Sequence, residues 1–306
     1  MRRKTTITSL AVLLVLSAAL VAGAAGPWGQ AVSIEDFGAG AHPSFNLDNS
    51  TEGCPFISPD GKRFFLMSTR QDETSQGGQD IWVSTRSGPN EPWSEPVNVG
   101  PPINSTSNDF CPTISADGKT FFFASNRPGH CGSATNADLY TAQLDENSHA
   151  TSVTHLGCVV NSPFEEHSPF PAVMQGIGKV LLYSSGRPAF PGDTTTDHDI
   201  YMSPLSGGAY GPGIPLEINT QFEEAQPNLR VNGKELFFWS NRGGAATGPD
   251  IYTSTLSSDG WSDPVSLGAL VNSTAPDTRP SLSRNGKVLY FGSGRSGMGD
   301  IYVTSR

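Results

Sequence analysis

The stretch that decides the fold is Ile57–Met67, which reads Ile-Ser-Pro-Asp-Gly-Lys-Arg-Phe-Phe-Leu-Met. Its Asp60-Gly61 pair tolerates the positive φ of a tight hairpin turn. The run after the turn is rich in aromatic residues, which favour strands. A Gly-Lys pair followed by such a run recurs at intervals of 53 to 60 residues, beginning at Gly61, Gly118, Gly178, Gly233 and Gly286. The chain is therefore built from five copies of one hairpin unit.

Three further features accompany each copy. A proline precedes each Gly-Lys pair at Pro55, Pro112, Pro169, Pro227 and Pro280. A Ser-x-Arg motif ends each aromatic run. An Asp-Ile/Leu-aromatic motif begins at Asp80, Asp138, Asp199, Asp250 and Asp300. Each unit thus holds three or four short strands, and the 34 Gly and 24 Pro of the 306 residues suit many turns better than long helices.

One such unit cannot bury both of its faces, and radial stacking of neighbours solves this. The fifth unit reaches Arg306 directly after its third strand, and Val32–Phe37 supplies a candidate for the fourth. We therefore predict an all-β fold, a single five-bladed β-propeller whose ring is closed by the N-terminal strand pairing into the last blade. An unclosed array would leave exposed strand edges.

The phrase Ile57–Lys62, with Ser-x-Arg and Asp-Ile-aromatic after it, resembles the WD40-like repeat of the TolB-type (PD40) β-propeller proteins. The resemblance covers residues 32–306 five times over. The third unit departs from it, because its segment 174–179 lacks the Asp of the turn. The resemblance implies exported binding or scaffolding proteins, with some members that process polysaccharides, and it does not fix an activity.

The first 25 residues are typical of a secretory signal. Arg2, Arg3 and Lys4 precede an apolar run, and Ala22-Gly23-Ala24 offers a cleavage site. We predict a signal peptide at 1–25, a propeller at 26–306 and export to the periplasm or the extracellular space; an uncleaved membrane anchor is the alternative. Cleavage takes the net charge from −10 to about −13. An acidic chain of this kind disfavours nucleic acid as a partner.

Five carboxylates, each three residues before a repeat proline, are expected around one mouth of the central channel. They are Glu52, Asp109, Glu166, Glu224 and Asp277. The Ser-x-Arg arginines belong to the same face and are Arg70, Arg127, Arg187, Arg242 and Arg295. One interpretation is structural ion pairs that lock adjacent blades. The other is a ring in which one or two blades bind a ligand or a cation.

The third unit carries the chemically richest departures from the repeat. Glu165, Glu166 and His167 stand together, and His130 and His198 belong to loops of the same face. Carboxylates with imidazoles suit general acid–base catalysis or a divalent metal.

A second metal candidate lies in the loop that contains His198. Its Asp193, Asp197 and Asp199 place oxygen ligands at near-alternate positions, as Ca²⁺ requires. A solvated acidic loop is the alternative. No other cofactor is indicated.

The four cysteines of an exported chain suggest disulfides. Cys54 and Cys111 occupy the same repeat position on neighbouring innermost strands, and Cys131 and Cys158 fall on one face of blade 2. We predict the pairs Cys54–Cys111 and Cys131–Cys158, with buried thiols as the alternative.

Aromatic residues in loops of the same face could stack on sugars, or could instead plug the channel and pack between blades. The candidates are Phe110, Phe164, Phe190 and Phe222.

Two functions remain open on the sequence. The first is an exported, monomeric binding or scaffold module that presents one face to a protein or glycan, with no stable membrane insertion after signal cleavage. The second is a secreted carbohydrate-active enzyme, a polysaccharide lyase or glycosidase, that uses Glu165, Glu166 and His167. Regular repeats outnumber irregular catalytic features, which favours the first.

Overall fold

A computed structural model describes residues 27–129, 131–132, 135–145, 149–190, 197–244 and 248–306. The predicted signal peptide lies outside these ranges, and so do His130 and Asp193. Within them, no helix is both long and apolar enough to cross a membrane.

The described strands form five antiparallel sheets, and each sheet is one blade. The strands of each blade are given from the innermost to the outermost. Blade 1 contains β2 (Glu52–Ile57), β3 (Arg63–Ser68), β4 (Asp80–Thr85) and β5 (Val97–Asn98). Blade 2 contains β6 (Asp109–Ile114), β7 (Thr120–Ser125), β8 (Asp138–Leu144) and β9 (Ala150–His155). Blade 3 contains β10 (Glu166–Met174), β11 (Gly178–Ser185), β12 (Asp199–Ser206), β13 (Ala209–Tyr210) and β14 (Ile214–Pro215). Blade 4 contains β15 (Glu224–Leu229), β16 (Glu235–Ser240), β17 (Asp250–Ser257), β18 (Gly260–Trp261) and β19 (Val265–Ser266). Blade 5 contains β20 (Asp277–Leu282), β21 (Val288–Ser293), β22 (Asp300–Ser305) and β1 (Val32–Ser33). The predicted all-β, five-bladed propeller is confirmed.

Blade 5 is completed by the N-terminal strand. Val32 lies opposite Val303 in an antiparallel pair. The strand is shorter than the predicted Val32–Phe37, because a 3₁₀ turn follows at Ile34–Asp36, where the Ser33 hydroxyl accepts a hydrogen bond from the Glu35 N–H.

The core consists of apolar clusters that lie between neighbouring blades. Each blade contributes apolar residues of its second strand, most of them aromatic, to the two clusters that flank it. Between blades 1 and 2, the rings of Phe65 and Phe121 meet edge to face at 5.3 Å. Between blades 5 and 1, Phe64 and Tyr290 meet in the same way at 5.1 Å. The last blade therefore packs against the first as the others pack against their neighbours.

The innermost strands share a β-bulge that the sequence analysis missed. In each strand one non-glycine residue adopts a φ between 47° and 60°, and the repeat proline follows it directly. These residues are Cys54, Cys111, Ser168, Gln226 and Arg279. Proline cannot donate to a strand ladder and inside a sheet is confined to edges and bulges. A proline in all five innermost strands was the signal that could have predicted this feature.

The first hairpin of blades 1, 2, 4 and 5 follows the predicted turn. Gly61, Gly118, Gly233 and Gly286 all have φ between 69° and 75°. The third blade, which lacks the Asp, turns differently: Met174 pairs with Gly178, so the strands extend further and the turn is tighter.

Candidate functional site

One ion pair lies in each blade, between the first residue of the innermost strand and the arginine that follows the second strand. The shortest N–O distances run from 2.6 to 3.2 Å, and all five carboxylate side chains are fully buried. The pairs are Glu52–Arg70, Asp109–Arg127, Glu166–Arg187, Glu224–Arg242 and Asp277–Arg295. The five predicted ring carboxylates thus point into the blades and not toward solvent.

The repeat motifs meet around each of these arginines. In blade 2, Arg127 donates from Nε to the Ser125 hydroxyl at 2.9 Å. Its guanidinium lies 5.2 Å from the ring centroid of Tyr140, the aromatic residue of Asp-Leu-Tyr. The other four blades repeat both contacts. Ser-x-Arg and Asp-Ile-aromatic are therefore two halves of one cation–π and ion-pair arrangement.

An asparagine ties the segment that enters each blade to the blade before it. Asn104 accepts from the Ile81 N–H and donates to the Ile81 C=O, both at 2.9 Å, while Arg127 donates to the neighbouring Ile103 C=O. The same pair of backbone bonds recurs at Asn46, Asn161, Asn219 and Asn272. The entering segment is thus held by the preceding blade through Asn and by the following blade through Arg.

Asp250, the first residue of β17 in blade 4, has a partly buried carboxyl group. Its Oδ1 is buried and has no hydrogen-bond partner among the described residues. Burial, together with the charge of Asp277, raises the pKa of Asp250 to about 6. Because the folded chain holds this proton more tightly than the unfolded chain, its stability should fall as pH rises from about 4 through 6.

We therefore expect Asp250→Asn to raise the melting temperature at about pH 8 and to leave it nearly unchanged at about pH 4. Thermal unfolding followed by circular dichroism across this range measures the difference. Asp263→Asn, at an exposed position, is the control. An equal shift at both pH values would contradict the expectation.

Both predicted disulfides are present. Cys54–Cys111 joins the bulge positions of blades 1 and 2 with a Cα–Cα distance of 4.7 Å. Cys131–Cys158 joins the segment between β7 and β8 to the segment after β9, with a Cα–Cα distance of 5.5 Å. Both separations lie within the usual range for disulfides, and no cysteine remains free.

Four polar residues of blades 3 and 4 gather at the end of the propeller where the innermost strands begin. His198 Nδ1 lies 2.8 Å from Glu223 Oε1, and His198 Nε2 lies 3.9 Å from Glu165 Oε2. The His167 ring meets the His198 ring edge-on, with centroids 4.4 Å apart. His167 is buried, whereas the Glu165 side chain is 42% exposed. We call these four residues the mouth cluster.

The two imidazoles have opposite pKa shifts. Burial, with the charges of His198 and Arg279, lowers the pKa of His167 well below its usual value. Burial also disfavours the charged form of His198, but the Glu223 hydrogen bond and the charge of Glu165 outweigh it and raise the pKa of His198. The cluster therefore holds one neutral imidazole beside one that accepts a proton readily.

The other residues predicted for this site do not belong to the mouth cluster. Glu166 lies inside blade 3, where Arg187 and the hydroxyls of Ser162 and Ser185 bind its carboxylate. Among the described residues, the ligand-capable atoms that gather near His198 are those of Glu165 and His167. The calcium loop proposed at Asp193, Asp197 and Asp199 stays a prediction, because Asp193 lies outside the described residues. Asp199 is itself buried at the start of β12.

Arg279 is a residue that sequence reasoning missed. It occupies the bulge position of blade 5, where the other blades carry Cys, Ser or Gln, and that departure was the available signal. Its side chain runs toward Gly53, where a Cβ would overlap Nη1. The cavity at this level has a volume of about 40 Å³, the room of one or two waters. A larger ligand does not fit in this cavity.

Three of the four candidate phenylalanines are exposed on this face. Phe164, Phe190 and Phe222 have exposed fractions of 37 to 39%. Phe110 instead packs beside the Cys54–Cys111 disulfide, with its ring centroid 6.5 Å from that of His167. Phe164 and Phe222 each directly precede, in the sequence, a glutamate of the mouth cluster.

No family model matches the chain, and no curated protein matches it. Solved structures do match. A protein described as TolB from Agrobacterium tumefaciens aligns with a TM-score of 0.50 at 17% identity, over 88% of this chain and 79% of that one. The shared feature is the β-propeller fold. A thermostable family-43 glycoside hydrolase aligns with a TM-score of 0.57 at 12% identity, over 86% of this chain and 90% of that one. An endo-arabinanase of the same family from Bacillus licheniformis aligns with a TM-score of 0.55 at 13% identity, over 86% of this chain and 96% of that one.

Proposed function

We propose that the chain is an exported binding module that holds a glycan at the mouth cluster. The observation that carries this proposal is that an exposed phenylalanine directly precedes each glutamate that contacts His198: Phe164 precedes Glu165, and Phe222 precedes Glu223. Sugars present apolar C–H faces that stack on aromatic rings, and hydroxyls that donate to carboxylates. Exposed rings beside carboxylates suit that chemistry.

Export is part of the proposal. Two disulfides among the described residues fit an oxidising compartment. The predicted signal peptide at 1–25 supplies the route. After cleavage the chain is acidic, which favours neutral polysaccharides over strongly anionic ones.

Retention of the purified protein on a panel of immobilised polysaccharides tests the proposal. We expect the double variant Phe164→Ala/Phe222→Ala to bind the retained glycan about tenfold more weakly, because two stacking contacts are lost. Val231→Ala is the matched control, since Val231 is 70% exposed in the hairpin between β15 and β16, at the opposite ends of the strands. Retention of no polysaccharide would contradict glycan binding and favour a protein partner. Equal retention of the double variant would contradict the placement of the glycan beside Phe164 and Phe222.

A carbohydrate-active enzyme, a lyase or glycosidase, is the second candidate. It is supported by the presence of two glycoside hydrolases among the structures that share the fold. Glu166 is enclosed by its ion pair, so Glu165 and His167 are the better placed for acid–base chemistry in this alternative. Release of oligosaccharide from the retained polysaccharide, abolished in Glu165→Gln, would favour the enzyme over the binding module.

A further inference from the structure

We infer that Glu165, His167 and His198 form a binding site for a divalent transition-metal ion of the Zn²⁺ type. Each of the three residues offers one ligand atom, and these atoms all lie within 4.8 Å of one another. A tetrahedral zinc with bonds of about 2.0–2.2 Å holds its ligands closer together than this. Small side-chain rotations close the gap, and the Glu165 side chain, 42% exposed, has the freedom to make one.

The hydrogen bonds around the cluster orient the imidazoles as metal ligands require. His198 Nδ1 bonds to the Glu223 carboxylate at 2.8 Å, which leaves Nε2 facing Glu165. His167 Nδ1 bonds to the Ser168 hydroxyl at 2.8 Å. A metal-bound histidine almost always donates its other N–H to a carboxylate, a carbonyl or water. Glu223 is therefore a positioning residue that fixes His198, and not itself a ligand.

The donor set selects the class of ion. Two imidazoles with one carboxylate suit Zn²⁺ and its first-row neighbours, whereas Ca²⁺ and Mg²⁺ prefer oxygen ligands alone. Three protein ligands leave at least one position of a tetrahedral ion for water or a ligand.

The repeat supplies an independent argument, because both histidines are departures confined to blade 3. At the position of His167 the other blades carry Gly53, Phe110, Ala225 and Thr278. At the position of His198 they carry Gln79, Ala137, Pro249 and Gly299. The other four blades therefore form without an imidazole at either position, so the fold does not require the two histidines.

A second cluster in the described residues provides the matched control. Cys131, Asp138 and His155 also bring ligand-capable atoms within 4.8 Å of one another, and His155 Nε2 lies 2.8 Å from Asp138 Oδ2. The Cys131 sulfur is bonded to Cys158, so no thiolate is available for a metal there. The two clusters have similar geometry, and the disulfide is what makes the Cys131 cluster the weaker candidate for a metal site.

Titration of the EDTA-treated, purified protein with Zn²⁺ by isothermal calorimetry tests the inference. We expect one Zn²⁺ per chain, binding weakened at least about 100-fold in His198→Ala, about 10- to 100-fold in Glu223→Gln, and unchanged in His155→Ala. Glu165→Gln, at a partly exposed side chain, should also weaken binding and tests the site without altering a buried group. Near-ultraviolet circular dichroism establishes that each variant is folded.

Three results would overturn the inference: no Zn²⁺ binding, binding that survives in both His198→Ala and Glu165→Gln, or loss of binding in His155→Ala. A parallel titration with Ca²⁺ should show no binding. Calcium binding that is lost in Asp197→Asn would instead place the metal in the acidic loop before β12. None of these readouts depends on whether the protein binds a glycan.

Discussion

The Arg70→Met variant should lose roughly 3–5 kcal/mol of unfolding free energy, because it leaves the carboxylate of Glu52 buried without its cation. Glu52 is fully buried, and Arg70 Nη2 lies 3.2 Å from its Oε1. The same guanidinium donates to the carbonyls of Ser44 and Phe45 and lies 5.0 Å from the centroid of Trp82. One substitution therefore removes an ion pair, two backbone contacts and a cation–π contact.

Urea unfolding followed by circular dichroism, with the disulfides intact, measures this loss. Arg284→Met is the control, since Arg284 is exposed and has no side-chain hydrogen bond in the part of the chain that the structure describes. The double variant Arg70→Met/Glu52→Gln should recover part of the stability, because a neutral amide costs less to bury than an unpaired charge. A loss in Arg70→Met no larger than in the control would show that the pair is not a structural element.

The Asn104→Ala variant should be destabilised by roughly 2–4 kcal/mol, since a buried donor left without a partner costs about 1–3 kcal/mol. Asn104 is 1% exposed and binds both backbone groups of Ile81, which is itself fully buried. After the substitution the Ile81 C=O keeps a bond from the Val99 N–H. The Ile81 N–H loses the Asn104 oxygen that accepts its hydrogen bond, and Asn98 Oδ1 loses the 2.7 Å bond that the Asn104 amide donates to it.

Asn90→Ala, in an exposed turn, is the matched control and should leave the unfolding midpoint within error. Amide hydrogen exchange adds a local readout, because the Ile81 amide should exchange faster in Asn104→Ala than in the parent chain. Unchanged exchange at Ile81 together with unchanged stability would mean that the blade is held by other contacts.

The repeat made most of the fold predictable. Turn glycines, aromatic runs and Ser-x-Arg recur five times, so an error in one unit is corrected by the other four. The position shared by Cys54 and Cys111 also predicted a disulfide between neighbouring strands, and the structure contains it. The N-terminal strand was predicted too long, since the Ser33 cap that ends it after two residues has no counterpart elsewhere in the repeat.

The site was harder to predict, because side-chain direction at a bulge does not follow the simple alternation of a strand. The recurrence of a carboxylate three residues before each repeat proline placed Glu166 at the channel mouth, whereas it points into blade 3 toward Arg187. Glu165 and His167, on either side of it, lie near His198 instead. Glu223 is not among the predicted site residues, because its contact with His198 depends on the packing of blade 4 against blade 3.

The composition of blade 5 has a consequence for the order in which the molecule folds. Blades 1 to 4 use strands that are consecutive in sequence, so each can form as soon as its own segment is available. Blade 5 needs Val32 and Val303 at once, and these lie near opposite ends of the described chain. Contacts of such high sequence separation form slowly. Until they form, the intermediate carries an open strand edge at β22, so self-association is a hazard of folding that ends when the ring is joined.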